Sequence, residues 1–307
     1  MLDKFFAKFI VGEWNLGICN RRLPELMEDA KITGKLHLHV KWMKHRCRNS
    51  FFADPFVARI TRNDAEVYAE EFLYTRQKGI LSALKIDRHT GKLLQKKLLL
   101  EESCHLSYPY FDRTLGVMLP ESYRNGVWAK YAVDMQTDKA SFQAAVTDRG
   151  LIDATPLHYK DRWWVFAMTG SQPLSELHLF HTDSFGGPLQ PHGQNPVKKD
   201  IASARPAGKF FEWQGELFRP VQNSTTRYGE ALHIMKIKQL SETAFEEEFF
   251  CDVVIDNPSK YPLGVHTLNF EDDFIVVDGY RERFRPALTI LTYKLLPLIR
   301  KIYDAFH

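Results

Sequence analysis

A weak unit recurs five times along the chain, and its spacing limits the fold more than any other feature. Each unit opens on a polar or aromatic residue, often beside a proline, and continues as an extended run, a short polar turn and a second extended run. The units begin near Asp54-Pro55-Phe56-Val57, Tyr108-Pro109-Tyr110-Phe111, Asp153-Ala154-Thr155-Pro156-Leu157, Arg205-Pro206-Ala207-Gly208 and His266-Thr267-Leu268-Asn269-Phe270. Their opening residues are 54, 45, 52 and 61 positions apart. Four strands of five or six residues with their turns use about 50 residues. The spacing therefore predicts an all-β chain folded as a five-bladed β-propeller, one blade per unit.

The runs between the openings have strand character. Glu66-Val67-Tyr68-Ala69-Glu70-Glu71-Phe72-Leu73-Tyr74, Arg162-Trp163-Trp164-Val165-Phe166-Ala167 and Asp273-Phe274-Ile275-Val276-Val277-Asp278 alternate or run apolar between turn residues. Tyr159-Lys160-Asp161-Arg162, Trp213-Gln214-Gly215-Glu216 and Phe270-Glu271-Asp272-Asp273 read as hairpin turns. Adjacent strand residues face opposite ways, so at least one of Trp163 and Trp164 belongs to the core. Both ends leave this pattern. Leu2, Phe5, Phe6, Phe9 and Ile10 fall at helical spacing, as do Leu288, Leu291, Leu295, Leu298, Ile302 and Phe306. The resulting organisation is an N-terminal helix over 1–11, one propeller domain over 12–285 and a C-terminal amphipathic helix over 286–307, kinked near Pro297. The terminal helices pack on the propeller or on each other, or the basic C-terminal one makes a peripheral membrane contact.

Charge and motifs remove several function classes. Forty-one Lys and Arg against 38 Asp and Glu leave a formal charge of +3, which gives no electrostatic case for nucleic acid. The four cysteines, Cys19, Cys47, Cys104 and Cys251, are far apart and form no metal-ligand pair. Reduced thiols in a cytoplasmic protein are the plain reading, since residues 1–20 lack a secretory pattern and no run is long enough to span a membrane. The sequence carries no G-x-S-x-G, H-E-x-x-H, phosphate-loop or dinucleotide-binding motif. Cys104 and His105 would diverge on a strand, which disfavours thiol catalysis. No cofactor or metal is called for.

In a propeller the five opening residues converge on the central axis. Asp54, Tyr108, Asp153, Arg205 and His266 then form one cluster, as a binding site or as polar blade packing. Pro55 fixes the backbone after Asp54, which suits a positioned base. Asp153 lies among apolar neighbours, and Glu121 ends the apolar run Met118-Leu119-Pro120, where burial would raise its pKa towards that of a general acid. Three carboxylates on one axis can share glycosidic chemistry: one attacks or activates water, one protonates the leaving oxygen, one stabilises charge. His105, Tyr108, Arg205, Arg219, Gln222, Tyr228, His266, Asn269 and Asp278 suit sugar hydroxyls or anionic groups, and an arginine can hold an anion by two parallel hydrogen bonds.

Trp14-Asn15-Leu16-Gly17-Ile18, Phe52-Ala53-Asp54-Pro55-Phe56, Ser107-Tyr108-Pro109-Tyr110, Pro120-Glu121-Ser122, Asp153-Ala154-Thr155, Trp163-Trp164, Ala204-Arg205-Pro206-Ala207-Gly208, Arg219-Pro220-Val221-Gln222, Tyr228-Gly229 and His266-Thr267-Leu268-Asn269 occur in this order. As a set, over roughly residues 12 to 282, they resemble the N-terminal domain of the glucosamine inositolphosphorylceramide transferases and its stand-alone bacterial relatives among polysaccharide-biosynthesis proteins. That domain is similar to the five-bladed arabinanase, xylosidase and levansucrase propellers. The resemblance implies sugar chemistry or sugar binding, with an oligosaccharide or glycolipid as partner. It matches Asp54 to a base or nucleophile that opens the first blade and Asp153 to a stabilising aspartate that opens the third. It departs at the fourth blade, where those glycosidases place their acid glutamate and this chain has Arg205; Glu121 is the substitute. The transferases' separate C-terminal glycosyltransferase domain has no counterpart here, so transferase activity is not carried over. Two readings follow: a glycoside hydrolase-like enzyme acting on a surface polysaccharide or glycolipid, or a non-catalytic glycan-binding propeller that assists polysaccharide or glycolipid biosynthesis.

Overall fold

Five sheets, antiparallel except for one added strand, follow one another around an axis in the computed structural model, which describes residues 9–256 and 260–295. Blade I comprises Ser50–Ile60, Asp64–Leu73, Lys78–Asp87 and Leu93–Leu100, and blade II comprises Ser107–Asp112, Val117–Glu121, Trp128–Asp134 and Lys139–Thr147. Blade III is Ile152–Tyr159, Arg162–Met168 and Glu176–Thr182, with the short Gln190–Pro191 and Lys198–Lys199 both paired to its third strand. Blade IV is Phe211–Trp213, Glu216–Asn223, Ala231–Leu240 and Phe245–Ile255. The five-unit repeat is thus a five-bladed propeller, and each opening residue lies within a first strand or up to six residues before one.

The hairpins follow from their turn residues. Tyr159 pairs with Arg162 and Trp213 with Glu216 across two-residue loops. Lys160 and Asp161, like Gln214 and Gly215, all have positive φ, the backbone that matches the twist of the flanking strands. Trp164 enters the core of blade III, while Trp163 stacks its edge against Phe185 outside it.

Blade V closes the ring from both ends of the chain. Its inner strands are Leu268–Glu271 and Phe274–Phe284, and its outer strands are Ile10–Cys19 and Lys41–Trp42. Ten antiparallel pairs, from Ile10 opposite Phe284 to Cys19 opposite Ile275, join the two ends. Between the outer strands lies a helix, α1 (Leu23–Thr33), which stops at Gly34 with φ of 70°. Leu23, Leu26, Met27 and Ala30 are buried along one side of it, in one cluster with Leu232, Ile234 and Val253 of blade IV. Lys35–Leu38 then pairs in parallel with Phe245–Ile255 as a fifth strand of blade IV. Neither α1 nor this strand is among the elements expected from the sequence.

The ends differ from the expected helices. Ile10 already begins a strand, so no helix runs through 11, and residues 1–8 lie outside the described part. At the other end a short helix, α2 (Pro286–Ile290), gives way to a π-helical turn over Leu291–Leu295, and the rest of the expected helix, Pro297 included, lies outside the described residues. No described helix is long and apolar enough to cross a membrane.

Blades IV and V meet backbone to backbone. Leu268 N–H donates to the Ala207 carbonyl at 2.8 Å, and Lys209 N–H donates to Asn269 Oδ1 at 2.8 Å. Gly208, between them, has φ of 142°, and a Cβ there would stand 1.9 Å from the Leu268 carbonyl oxygen. Gly208→Ala should therefore lower unfolding stability by about 2 kcal/mol or more, read from urea titration. An unchanged midpoint would show that the two blades can part freely.

Candidate functional site

Three blade openings share an unusual backbone. Asp54, Tyr108 and Asp153 have φ of 50°, 40° and 48°, in the left-handed region that L-residues avoid. At each, the pairing of first and second strands breaks register, between Ala53 and Phe56, Ser107 and Tyr110, and Ile152 and Thr155. Each bulge turns an amide inward, and a carboxylate from the preceding blade receives it. Asp278 Oδ2 of blade V accepts Asp54 N–H at 3.0 Å. Asp54 Oδ2 accepts Tyr108 N–H at 3.1 Å, and Glu121 Oε2 accepts Asp153 N–H at 3.1 Å.

Two charged centres flank this chain of contacts. Around blade V, Asp278 Oδ1 also accepts His266 N–H and Thr267 N–H at 3.0 and 2.9 Å. His266 Nδ1 lies 2.6 Å from Asp278 and Nε2 lies 3.5 Å from Asp54, whose Oδ1 accepts the Thr267 hydroxyl at 2.9 Å. Burial opposes protonation of His266, but Asp278 and Asp54 outweigh it and raise its pKa. The ring stacks on Trp14 at 3.9 Å, an arrangement that favours a cation. Across the axis Arg205 Nε donates to Asp153 Oδ2 at 2.6 Å and Gln222 Nε2 donates to the same oxygen at 3.0 Å. Arg205 also donates to the Pro173 carbonyl at 3.1 Å and lies over the Tyr228 ring at 4.9 Å.

Carboxylates outnumber these two cations. Burial pushes Asp54 up to about 6 against the pull of His266, with Asp153 and Asp278 adding to the rise. Burial also raises Glu121 well above the usual range, and Asp153 reinforces it. Glu70, missing from the sequence-based candidates, is raised well above its usual range by burial and by the charges of Asp54, Glu121, Asp278 and Asp153. His105 holds it. Gly79 N–H donates to His105 Nδ1 at 2.9 Å, and burial holds the imidazole neutral with a pKa of about 4, so its proton sits on Nε2, 3.3 Å from Glu70 Oε1.

Glu70 had a signal in the repeat. Register places Glu70 opposite Ala53 and Glu121 opposite Ser107, the residues before two openings. Gln222 and Asp278 bond to the openings of blades IV and V by backbone amides. These four follow their opening residues by 16, 13, 17 and 12 positions. In blade III the place opposite Ile152 is Met168. In four of the five blades a polar residue on the second strand thus marks the axis alongside the opening residue.

Several candidates are placed otherwise than expected. Arg219 is not available to a substrate: Glu247 takes Nε and Nη2 at 2.6 and 2.7 Å, and the Ala204 and Ser203 carbonyls take the rest. Asn269 ties blades together, giving Nδ2 to the Pro55 carbonyl and accepting Lys209 N–H, both at 2.8 Å. Tyr108 is fully buried, packed edge-on to Phe56, with its hydroxyl on Thr155 at 2.8 Å. Asp278 and Gln222 are also enclosed and act on their neighbours rather than on solvent. Glu121, His105 and Tyr228 are partly exposed, Tyr228 by 44%, and they mark where the cluster meets solvent. Asp54, His266 and Asp278 bring ligand atoms within 4.8 Å of one another. They could hold a small cation only after His266 loses a proton, because both its nitrogens face carboxylates.

The propeller fold also occurs in solved glycoside hydrolases. The chain superposes on an α-L-arabinofuranosidase from Podospora anserina, solved with cellotriose, at TM-score 0.53 and 9% identity, covering 78% of this chain and 93% of that one. A GH62 hydrolase solved with xylotriose gives TM-score 0.51 at 10% identity, covering 75% and 91%. At such identity the likeness is one of fold. The family model for the N-terminal region of glucosamine inositolphosphorylceramide transferase 1 matches residues 40–262, and the chain belongs to that family. Similar proteins include glucosamine inositolphosphorylceramide transferase 1 of Oryza sativa subsp. japonica, 28% identical over 209 residues, and that of Arabidopsis thaliana, 25% identical over 208. Each match covers 65% of this chain but only 28% or 27% of the relative.

A carboxyl held above its unfolded pKa contributes stability at low pH that is lost as pH rises through the folded value. Glu70→Gln keeps an oxygen for His105 and removes that loss. Its melting temperature should match wild type near about pH 5 and exceed it increasingly towards about pH 8. An advantage that shrinks with rising pH would mean that Glu70 is ionised in the fold.

Proposed function

We propose that this protein acts on a glycosidic bond of a glycan or glycolipid, with Asp54 as base or nucleophile, Glu121 as acid, and Asp153 with Arg205 as the charge-stabilising pair. What carries this reading is the unlike setting of two carboxyls in one cluster: Asp54, 3.5 Å from His266, is pushed up to about 6, whereas Glu121, which accepts the Asp153 amide, is raised well above its usual range by burial and by Asp153. Glu121 is also the more exposed of the two. The relatives bear the name of a transferase acting on inositolphosphorylceramide, which favours a glycolipid as the substrate class. Arg205 and Tyr228 would then hold an anionic or sugar group at the exposed side. The free cysteines are consistent with a cytoplasmic setting.

A second reading, a glycan-binding propeller without catalysis, has its own support. Asp54 already receives Thr267 and the Tyr108 amide, and Asp153 receives Arg205 and Gln222. Carboxylates so committed can serve the fold alone.

Incubation with a mixed pool of oligosaccharides and glycolipids, followed by mass spectrometry, separates the two. On the first reading the wild type releases product, Asp54→Asn and Glu121→Gln each lower kcat by about 100-fold or more, and kcat/KM rises as pH passes through about 6, where Asp54 loses its proton. Glycan retained by all three proteins with no product from any would establish the binding propeller.

A further inference from the structure

A cavity of about 1780 Å³ opens between blades V and I, lined on one side by the end of the Phe274–Phe284 strand and on the other by the segment entering blade I. Arg281, Arg283 and Arg285 alternate along the first wall, and Lys44, Arg46 and Arg48 along the second, with Lys92 and Lys260 beside them. Glu13 is the one carboxylate in the described lining, and it is shared among Arg281, Arg285 and Arg283 at 2.6, 3.4 and 3.8 Å. Lys44, Arg46, Arg48, Lys92 and Lys260 make no ion pair among the described residues. Eight cations against one anion, in a chain whose whole formal charge is +3, concentrate positive potential in this cavity.

The wall is not only basic. Met43, Leu93, Leu288 and Leu291 line it as well. Strand alternation sets it apart from the axial cluster: Trp14 stacks on His266, while its neighbours Glu13 and Asn15 line the cavity from the opposite face of the same strand. Nothing in the glycosidic reading uses these residues.

We infer that this cavity is a binding site for a phosphate ester, gripped by the arginines and by the uncompensated Lys44, Arg46 and Arg48. Arginine pairs with phosphate through two parallel hydrogen bonds, and a concave, one-signed site holds such an anion more strongly than a flat surface does. The apolar residues beside the cations suit the chain of a lipid phosphate, while a soluble phosphate ester needs only the basic wall.

The test uses the full chain with two probes: inorganic tripolyphosphate by calorimetry, and flotation with phosphatidylcholine vesicles with and without phosphatidic acid. Wild type and Asp54→Asn should bind alike, and R46E/R48E should bind at least about tenfold more weakly with an unchanged melting temperature, since both side chains are exposed. Should that variant fail to fold, K44E/K92E serves in its place. Flotation that requires phosphatidic acid supports the site with a lipid source, and tripolyphosphate binding without flotation supports it with a soluble one. Binding of neither probe, or equal binding by wild type and the charge-reversed variant, overturns the inference. Loss in Asp54→Asn alone would place the anion at the axis and overturn it too. The absence of glycosidic activity would not bear on it.

Discussion

A carboxylate that reaches back from one blade to the first amide of the next is the contact on which the rest of this structure depends. Left-handed backbone at a non-glycine residue costs on the order of 1–3 kcal/mol, and it persists only where its surroundings enforce it. Asp54, Tyr108 and Asp153 all adopt it, and Asp278, Asp54 and Glu121 enforce it in turn. The contacts run from blade V to I, I to II and II to III. Arg205 carries the link to blade IV through Asp153, and Asn269 bonds to blades I and IV from blade V. The blades are therefore held to one another at the axis by polar groups as well as by the apolar clusters between their faces.

The same requirement creates the chemistry. Asp54, Glu70, Glu121, Asp153 and Asp278 lie close enough to influence one another, with His266 and Arg205 as the cations among them. Five negative charges cannot be sustained there out of water, so burial drives protons onto the carboxyls with the weakest cationic support. Glu70, beside a neutral imidazole, and Glu121, hydrogen-bonded to Asp153, are those carboxyls. Asp54, 3.5 Å from His266 and pulled down by it, is pushed up only to about 6. A division into proton donor and proton acceptor thus arises from packing constraints before any substrate is considered.

The openings of the blades were legible because each combines a polar residue with proline or a β-branched partner at a nearly regular interval, and the hairpins because their turn residues tolerate positive φ. What the repeat could not convey lies outside its period. The strand Ile10–Cys19 joins blade V by pairing with residues more than 250 positions away, and α1 and Lys35–Leu38 sit between two strands of that closing blade. The apolar spacing of Leu23, Leu26, Met27 and Ala30, followed by Gly34, is a local helix signal that counting blades from Asp54 leaves unread. Arg219 looks like a substrate arginine until Glu247, two strands away in the same sheet, is seen to claim it. A sequence names a charged side chain but not the partner that a fold assigns to it.

The protonation pattern at the axis is the centre of this account, and carbon-13 NMR of aspartate and glutamate carboxyls reads it directly. With Asp54→Asn, Glu70→Gln and Glu121→Gln as assignment controls, Asp54 should titrate near 6 while Glu70 and Glu121 titrate well above the ordinary carboxylate range. Titration of all three within the ordinary carboxylate range would contradict it, and would leave the cluster as a set of ion pairs with no proton to give.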